Sequence, residues 1–273
     1  MAEATDQQRG GKADQRVRPE GGRLVYYRRN MSRSFWDEHW RTCHRANFYS
    51  PYLKGYLGRG SLSRVLRHRL PTRGRILEAG CGKGQYVVAL RTLGYECLGL
   101  DNANDTVACV RRLFPDLPVI CGDVLHLPWR EKSFAAYLSF GVVEHFVEGP
   151  VAALREAYRV LADDGVLILS VPQCFPWRRR EIGGLPLTAE FSFYQYAFSP
   201  EEFANLLDKS GFTVQEQYGY GSDLALRLRW PAVGRLLALF PRGATLVRLL
   251  LDAPSYTWQR LAQMRLYVAR KKP

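Results

Sequence analysis

Short apolar runs recur along this chain, separated by stretches in which apolar residues return every three or four positions. Residues 76–79, 95–100, 119–122, 134–140 and 166–171 read as strands. The last of these, Val166-Leu167-Ile168-Leu169-Ser170-Val171, has the near-continuous apolar character of a strand buried on both faces. Residues 83–93, 104–114 and 151–161 read as the intervening helices, the third stopped by Asp163-Asp164-Gly165. Ser199-Pro200-Glu201-Glu202 has capping-box spacing and opens a helix to Lys209, and 212–218 and 264–270 read as the final strands. Upstream, 34–47 reads as an amphipathic helix with Phe35, His39 and Cys43 four apart. A second helix spans 61–69, and Pro71-Thr72-Arg73-Gly74 turns into the first strand of the series. Such strand–helix alternation predicts an α/β, Rossmann-like, doubly wound fold: a mostly parallel sheet with helices on both faces.

Chemistry concentrates where the predicted strands end. The first closes on Glu78-Ala79-Gly80-Cys81-Gly82-Lys83-Gly84, a glycine-spaced turn that lets a ligand approach the backbone because no Cβ intervenes. The dinucleotide fingerprint G-x-G-x-x-G would need glycine at position 85, where Gln85 stands. Asp101 closes the second strand. Asp123 follows Gly122 at the end of the third and leads into Val124-Leu125-His126-Leu127-Pro128. Ligands of open α/β sheets bind beyond the carboxyl ends of the strands, so these acids face a common crevice.

On these residues the chain resembles the class I S-adenosylmethionine-dependent methyltransferases, in their small-molecule branch. The match lies in E-x-G-x-G-x-G (78–84), the acid Asp101, G-D-x-x-x-L-P (122–128), and 134–140 followed by Gly141-Val142-Val143-Glu144-His145. It is close over 74–172 and loose elsewhere. The resemblance implies a seven-stranded sheet with an antiparallel last strand and S-adenosyl-L-methionine as cofactor. It also implies that Glu78 and the turn Gly80, Cys81, Gly82 and Gly84 hold the amino acid part. Asp101 would accept from the ribose hydroxyls, Asn102 lie beside the adenine, Asp123 and Val124 contact its edge and face, and Ser139 and Phe140 line the methionine side. Transfer from a sulfonium expels a neutral thioether, so no metal is demanded. The protein has to align the acceptor and, for a hydroxyl, remove its proton. His145 is the leading candidate base, its ordinary pKa of about 6.5 suiting neutral pH; the alternative is a structural histidine bonded to a backbone carbonyl. His126 and Tyr194 rank behind it. Phe134-Ala135 stands where many relatives carry Phe-Asp, which leaves the cofactor motifs intact.

Charge then sharpens the organisation. The 273 residues carry a net +13, and 224–273 alone hold ten Arg and Lys against the single acid Asp252. The predicted divisions are a disordered polar tail (1–22), an N-terminal helical cap (23–73) and the methyltransferase domain (74–273). That domain holds two extra segments. The aromatic stretch 173–198, with the triplet Arg178-Arg179-Arg180, reads either as a wall of the acceptor pocket or as a packing loop. The basic amphipathic stretch 222–261 reads as a lid or homodimer face, or as a peripheral membrane contact. The first twenty residues lack a signal peptide's apolar core, and no run approaches the roughly 20 apolar residues of a membrane span. Six scattered cysteines show no zinc spacing and fit a reducing compartment. Together these predict a cytoplasmic enzyme, with peripheral contact at the inner membrane face as an extension. The expected activity is O-methylation of a small or lipid-linked metabolite. A methyltransferase-like binding subunit without turnover and a nucleic-acid methyltransferase are the alternatives. The last is suggested by charge alone, since no RNA-binding module is recognisable.

Overall fold

The computed structural model describes residues 15–29, 35–40, 46–58, 60–174, 186–221 and 262–273. The strands are β1 (Gln15–Glu20), β2 (Arg23–Arg29), β3 (Ile76–Ala79), β4 (Cys97–Asp101), β5 (Val119–Cys121), β6 (Phe134–Phe140), β7 (Leu161–Pro172), β8 (Phe191–Ala197), β9 (Phe212–Tyr220) and β10 (Met264–Lys271). The helices are α1 (Phe35–His39), α2 (Gly60–Arg69), α3 (Gln85–Thr92), α4 (Asn104–Leu113), α5 (Val151–Val160) and α6 (Pro200–Lys209). Seven strands form one sheet in the order β5-β4-β3-β6-β7-β10-β9, with β10 antiparallel to both of its neighbours. The chain leaves β3 outward to β4 and β5, then returns to β6 on the other side. The crevice between β3 and β6 is therefore the topological switch point, where doubly wound sheets bind ligands.

Alternation within the strands builds the two faces. Leu167, Leu169 and Val171 of β7 join a cluster with α5 and α6, through Leu154, Ala157, Phe203 and Leu207. Val166 and Ile168 face the other way, toward α2 and α3, through Leu62, Leu66, Val87 and Leu90. Ser199 caps α6 as the capping box predicts, its hydroxyl accepting from the Glu202 N–H at 3.1 Å. The reciprocal arm is diverted: the Glu202 carboxylate accepts from Arg23 Nε at 2.7 Å.

That diversion points to what the sequence reading missed. Residues 15–29 form a β-hairpin, where a polar tail and the start of a helical cap were expected. Gly21-Gly22 makes the two-residue turn, with Glu20 opposite Arg23 and Gly21 at φ +56°. The hairpin pairs through β2 with β8, giving a second, three-stranded sheet. Thus part of the segment read as an aromatic loop is a strand, and its aromatics pack: Phe191, Tyr194, Tyr196 and Phe198 are all buried. Of the helix expected over 34–47, Phe35–His39 form α1 and Ala46–Phe48 a 3₁₀ turn, while 34 and 41–45 lie outside the described residues. Val166–Val171 extends back through the Asp163-Asp164-Gly165 turn into the single strand β7. The whole basic stretch 222–261 lies outside the described residues, as do Phe175, Trp177 and the arginine triplet.

Candidate active site

A cavity of about 500 Å³ opens beyond the carboxyl ends of β3, β4 and β6. Its first half is built on backbone. The Gly80 and Cys81 N–H groups donate to the Leu100 carbonyl at 2.7 and 3.0 Å, folding the turn back over β4. Gly80 is left-handed at φ +78°, and a Cβ there would lie 2.3 Å from Val142, so only glycine lets β3 and the segment after β6 approach this closely. Gly82, at φ +51°, donates its N–H to Asp101 Oδ2 at 2.6 Å, while Oδ1 accepts from the Ala103 N–H at 2.9 Å. Asp101 therefore clamps the glycine turn onto the tip of β4. Burial raises its pKa despite those two donors. Burial likewise pushes the Cys81 thiol well up, with Asp101 and Glu78 adding to it, so this cysteine is not a thiolate nucleophile.

The second half comes from distant segments. Trp36, His39 and Trp40 line the cavity from the α1 region, Tyr194 and Gln195 from β8, and Tyr220 from β9. Glu144, His145 and Phe146 line it from the 3₁₀ turn after β6. The α1 lid is held by specific contacts. Helix α4 has Ala103 at its N-cap, with no side-chain cap of its own. Asp37 serves instead, its Oδ1 accepting from the Thr106 N–H at 3.1 Å and the Thr106 hydroxyl at 3.4 Å. The Lys83 ammonium lies 5.3 Å from the Trp40 ring centre and 4.7 Å from that of Phe48. Tyr49 donates its O–H to the Lys83 carbonyl at 2.9 Å.

His145 is gripped on several sides. Its Nδ1 lies 2.8 Å from the Tyr194 carbonyl, which makes that nitrogen the donor and leaves Nε2 with the lone pair. Trp36 meets the imidazole edge-on at 4.6 Å, and the Tyr194 ring lies 5.1 Å away. Burial lowers the imidazole pKa to about 4, so the ring is neutral at physiological pH. Beside it, Glu144 is buried, and its Oε2 has no hydrogen-bond partner among the described residues. Burial raises the Glu144 pKa to about 8.

Of the residues expected to form the site, Glu78, Gly80, Cys81, Gly82, Asp101, Asn102, Asp123, Val124, Phe140 and His145 line this one cavity. Two do not. Ser139 is buried within the sheet, because strand alternation turns it away from the face Phe140 presents. Gly84 is the left-handed N-cap of α3, and its Cβ direction points at Val119, Leu117 and Val110, so it serves packing. His126 is exposed and pairs with Asp123 at 3.0 Å outside the cavity. Missed altogether were the lid tryptophans, Tyr220 and Glu144. Glu144 stood in the quoted Val142-Val143-Glu144-His145 run, but a single acid in a short turn gives no sign of its burial.

Four carboxylates line the cavity, Glu78, Asp101, Asp123 and Glu144, and no Lys or Arg does among the described residues. Strand-tip acids around a left-handed glycine turn, at the switch point of a doubly wound sheet, make this cavity a candidate site for a nucleoside cofactor. The comparisons with known proteins agree. Residues 77–169 match the methyltransferase domain family. A Mycolicibacterium smegmatis protein named "Probable S-adenosylmethionine-dependent methyltransferase" is 30% identical over 162 residues, 59% of this chain and 60% of that protein. A demethylmenaquinone methyltransferase of Beutenbergia cavernae is 31% identical over 125 residues, 45% of this chain and 48% of that protein. The crystal structure of an S-adenosylmethionine-dependent methyltransferase from Mesorhizobium loti shares the fold, with a TM-score of 0.53 and 20% identity over 80% of this chain and 100% of that one. The chain spans about half the length of the curated relatives it matches. Over residues 77–169 the chain is thus similar to the class I S-adenosylmethionine-dependent methyltransferases, whose cofactor is S-adenosyl-L-methionine. The site fits that molecule: its ammonium and sulfonium charges suit a lining that holds four carboxyl groups and, among the described residues, no Lys or Arg, and its ribose hydroxyls suit a carboxylate at the tip of β4.

Proposed function

We infer that this protein transfers the methyl group of S-adenosyl-L-methionine to a hydroxyl of a small or lipid-linked metabolite. The observation that carries this is the continuity of the cavity, which runs from the glycine turn and strand-tip acids into a chamber walled by Trp36, Tyr194, Phe146 and Tyr220. Glu78 and the Gly80–Gly82 backbone hold the amino acid part of the cofactor. Asp101 takes the ribose, and Asn102, Asp123 and Val124 surround the base. When bound, the cofactor supplies an electrophilic methyl group on a positively charged sulfur. The chain's own residues align the acceptor, exclude water and receive its proton.

The aromatic walls suit a planar or greasy acceptor. The absence of Lys and Arg from the lining, among the described residues, argues against an acceptor whose reacting end is a phosphate or carboxylate. The names of the curated relatives divide between small-molecule and tRNA acceptors, so they do not choose between them. Among the described residues no helix is long and apolar enough to cross a membrane. Incubating the protein with methyl-labelled cofactor and fractionated cell extract tests the reading. Label in the polar-metabolite or lipid fraction supports it, and label in RNA or protein, or in no fraction, rejects it.

A further inference from the structure

Glu144 is 2% exposed, yet it lines the cavity, and its Oε2 meets no donor among the described residues. Native structures rarely leave a buried carboxyl oxygen unmatched, and such a group in a cleft points to a ligand or to chemistry. Its position is defined. A Cβ on Gly141, the residue after the tip of β6, would lie 3.5 Å from Glu144 Oε1 and 3.9 Å from Met264. The neighbouring Val142 packs against Gly80 of the glycine turn. Glu144 thus stands at the seam between the cofactor half and the aromatic half, where a methyl group must pass.

Resting on the reading above, we propose that Glu144 is the catalytic base of this site, taking the proton of a neutral hydroxyl acceptor, and that His145 is a positioning residue beside it. A neutral amine already offers a lone pair and can shed its proton after transfer. A hydroxyl has to lose it as the new bond forms, and a dedicated buried base is what that requires. The acceptor oxygen forms a bond to the methyl carbon while the carbon–sulfur bond breaks, its electron pair remaining on sulfur. The hydroxyl proton passes to the Glu144 carboxylate. One positive charge on the donor and one negative charge on the protein vanish together, so no net charge is stranded in the buried chamber.

The histidine cannot fill this role equally well. Its Nδ1 is committed to the Tyr194 carbonyl, and burial leaves its Nε2 a weak base with a pKa of about 4. Glu144, raised to about 8, lies near the pH at which a base must work. Nε2 sits 4.0 Å from Glu144 Oε1, too far for a hydrogen bond but close enough to limit where the carboxylate swings. The other titratable groups lining the cavity, among the described residues, are His39 from α1, Tyr86 from α3, Tyr194 from β8 and Tyr220 from β9, with Glu78, Cys81, Asp101 and Asp123 across the cofactor half. Among the described residues none is a Lys or Arg, so the sulfonium brings to this lining a cation that can hold Glu144 ionised. Cofactor binding should therefore expel the proton from Glu144 and arm the base, which the uncharged thioether product would not do.

Calorimetry in two buffers of different ionisation enthalpy at pH 7 tests this on the full chain. S-adenosylmethionine should release close to one more proton from the wild type than from Glu144→Gln, and S-adenosylhomocysteine should show no such difference. Glu144→Gln should keep its affinity for S-adenosylhomocysteine within threefold, which checks the fold. Its label incorporation into cell extract should fall by about a hundredfold or more. Equal proton release by the two proteins, or undiminished incorporation by Glu144→Gln, overturns the proposal. Loss of proton release in His145→Asn but not in Glu144→Gln overturns it in favour of the histidine. If neither cofactor nor product binds, the proposed function fails along with it. If both bind but the wild type incorporates no label, only that reading fails, and proton release still decides the role of Glu144.

Discussion

The two halves of the cavity are made in opposite ways. The cofactor half is contiguous backbone: a left-handed glycine turn hydrogen-bonded to β4, with the oxygens of Asp101 at 2.6 and 2.9 Å from peptide N–H groups. The acceptor half is assembled from α1, β8, β9 and the turn after β6, and it leaves the buried Glu144 Oε2 without a partner among the described residues. The first half is thus preorganised for one invariant ligand. The second carries its instability where the chemistry is expected, a common exchange of stability for function.

The contrast breaks most completely at Gly82. Valine there would need the left-handed backbone that β-branched residues avoid, and its Cβ would press on Trp40 at 3.1 Å. Gly82→Val should lose more than about a hundredfold in cofactor affinity by calorimetry, with circular dichroism confirming the fold. Normal binding would mean that the turn does not face the cofactor.

A second test sharpens the stability difference. The folded pKa of Glu144, about 8, lies above the ordinary carboxyl value of 4.5, so the folded protein keeps a proton that the unfolded chain releases. This group's contribution to stability is intact below pH 4.5 and is lost as pH rises toward 8. Glu144→Gln should therefore be more stable than wild type by on the order of 3 kcal/mol at pH 7, with no gain at pH 4. Urea titrations at the two pH values check this, and a gain independent of pH would contradict it. The smallest effect belongs to the lid. Asp37→Ala removes the borrowed cap of α4 and should cost about 1 kcal/mol of stability. It should also raise the exposure of Trp36 and Trp40 to an aqueous fluorescence quencher; unchanged quenching would show that the lid is held by its aromatic contacts alone.

The same contrast explains what could be read from the chain. Gly80, Gly82, Asp101 and Asp123 were legible because each stands at or just beyond the end of a predicted strand, where spacing is visible, although the contacts of the first three run between neighbouring strands. The antiparallel β10 followed from family resemblance, since periodicity carries no strand direction. The hairpin of β1 and β2 escaped although Gly21-Gly22 marks its turn, because the partner that buries it, β8, lies more than 150 residues onward. Ser139 is buried and does not line the cavity, one position of strand alternation separating it from Phe140. Glu144 and the lid tryptophans become site residues only when segments remote in sequence close over them.

The central claim is that this cavity binds S-adenosyl-L-methionine through the acid at the tip of β4. The most direct test is calorimetric titration of the cofactor into the wild type and into a folded Asp101→Ala variant. Removing a charged acceptor costs roughly 1.5–3 kcal/mol, so the account predicts wild-type binding and a loss of about ten- to a hundredfold in the variant. Equal affinity in the two proteins, or no binding to the wild type, would contradict it.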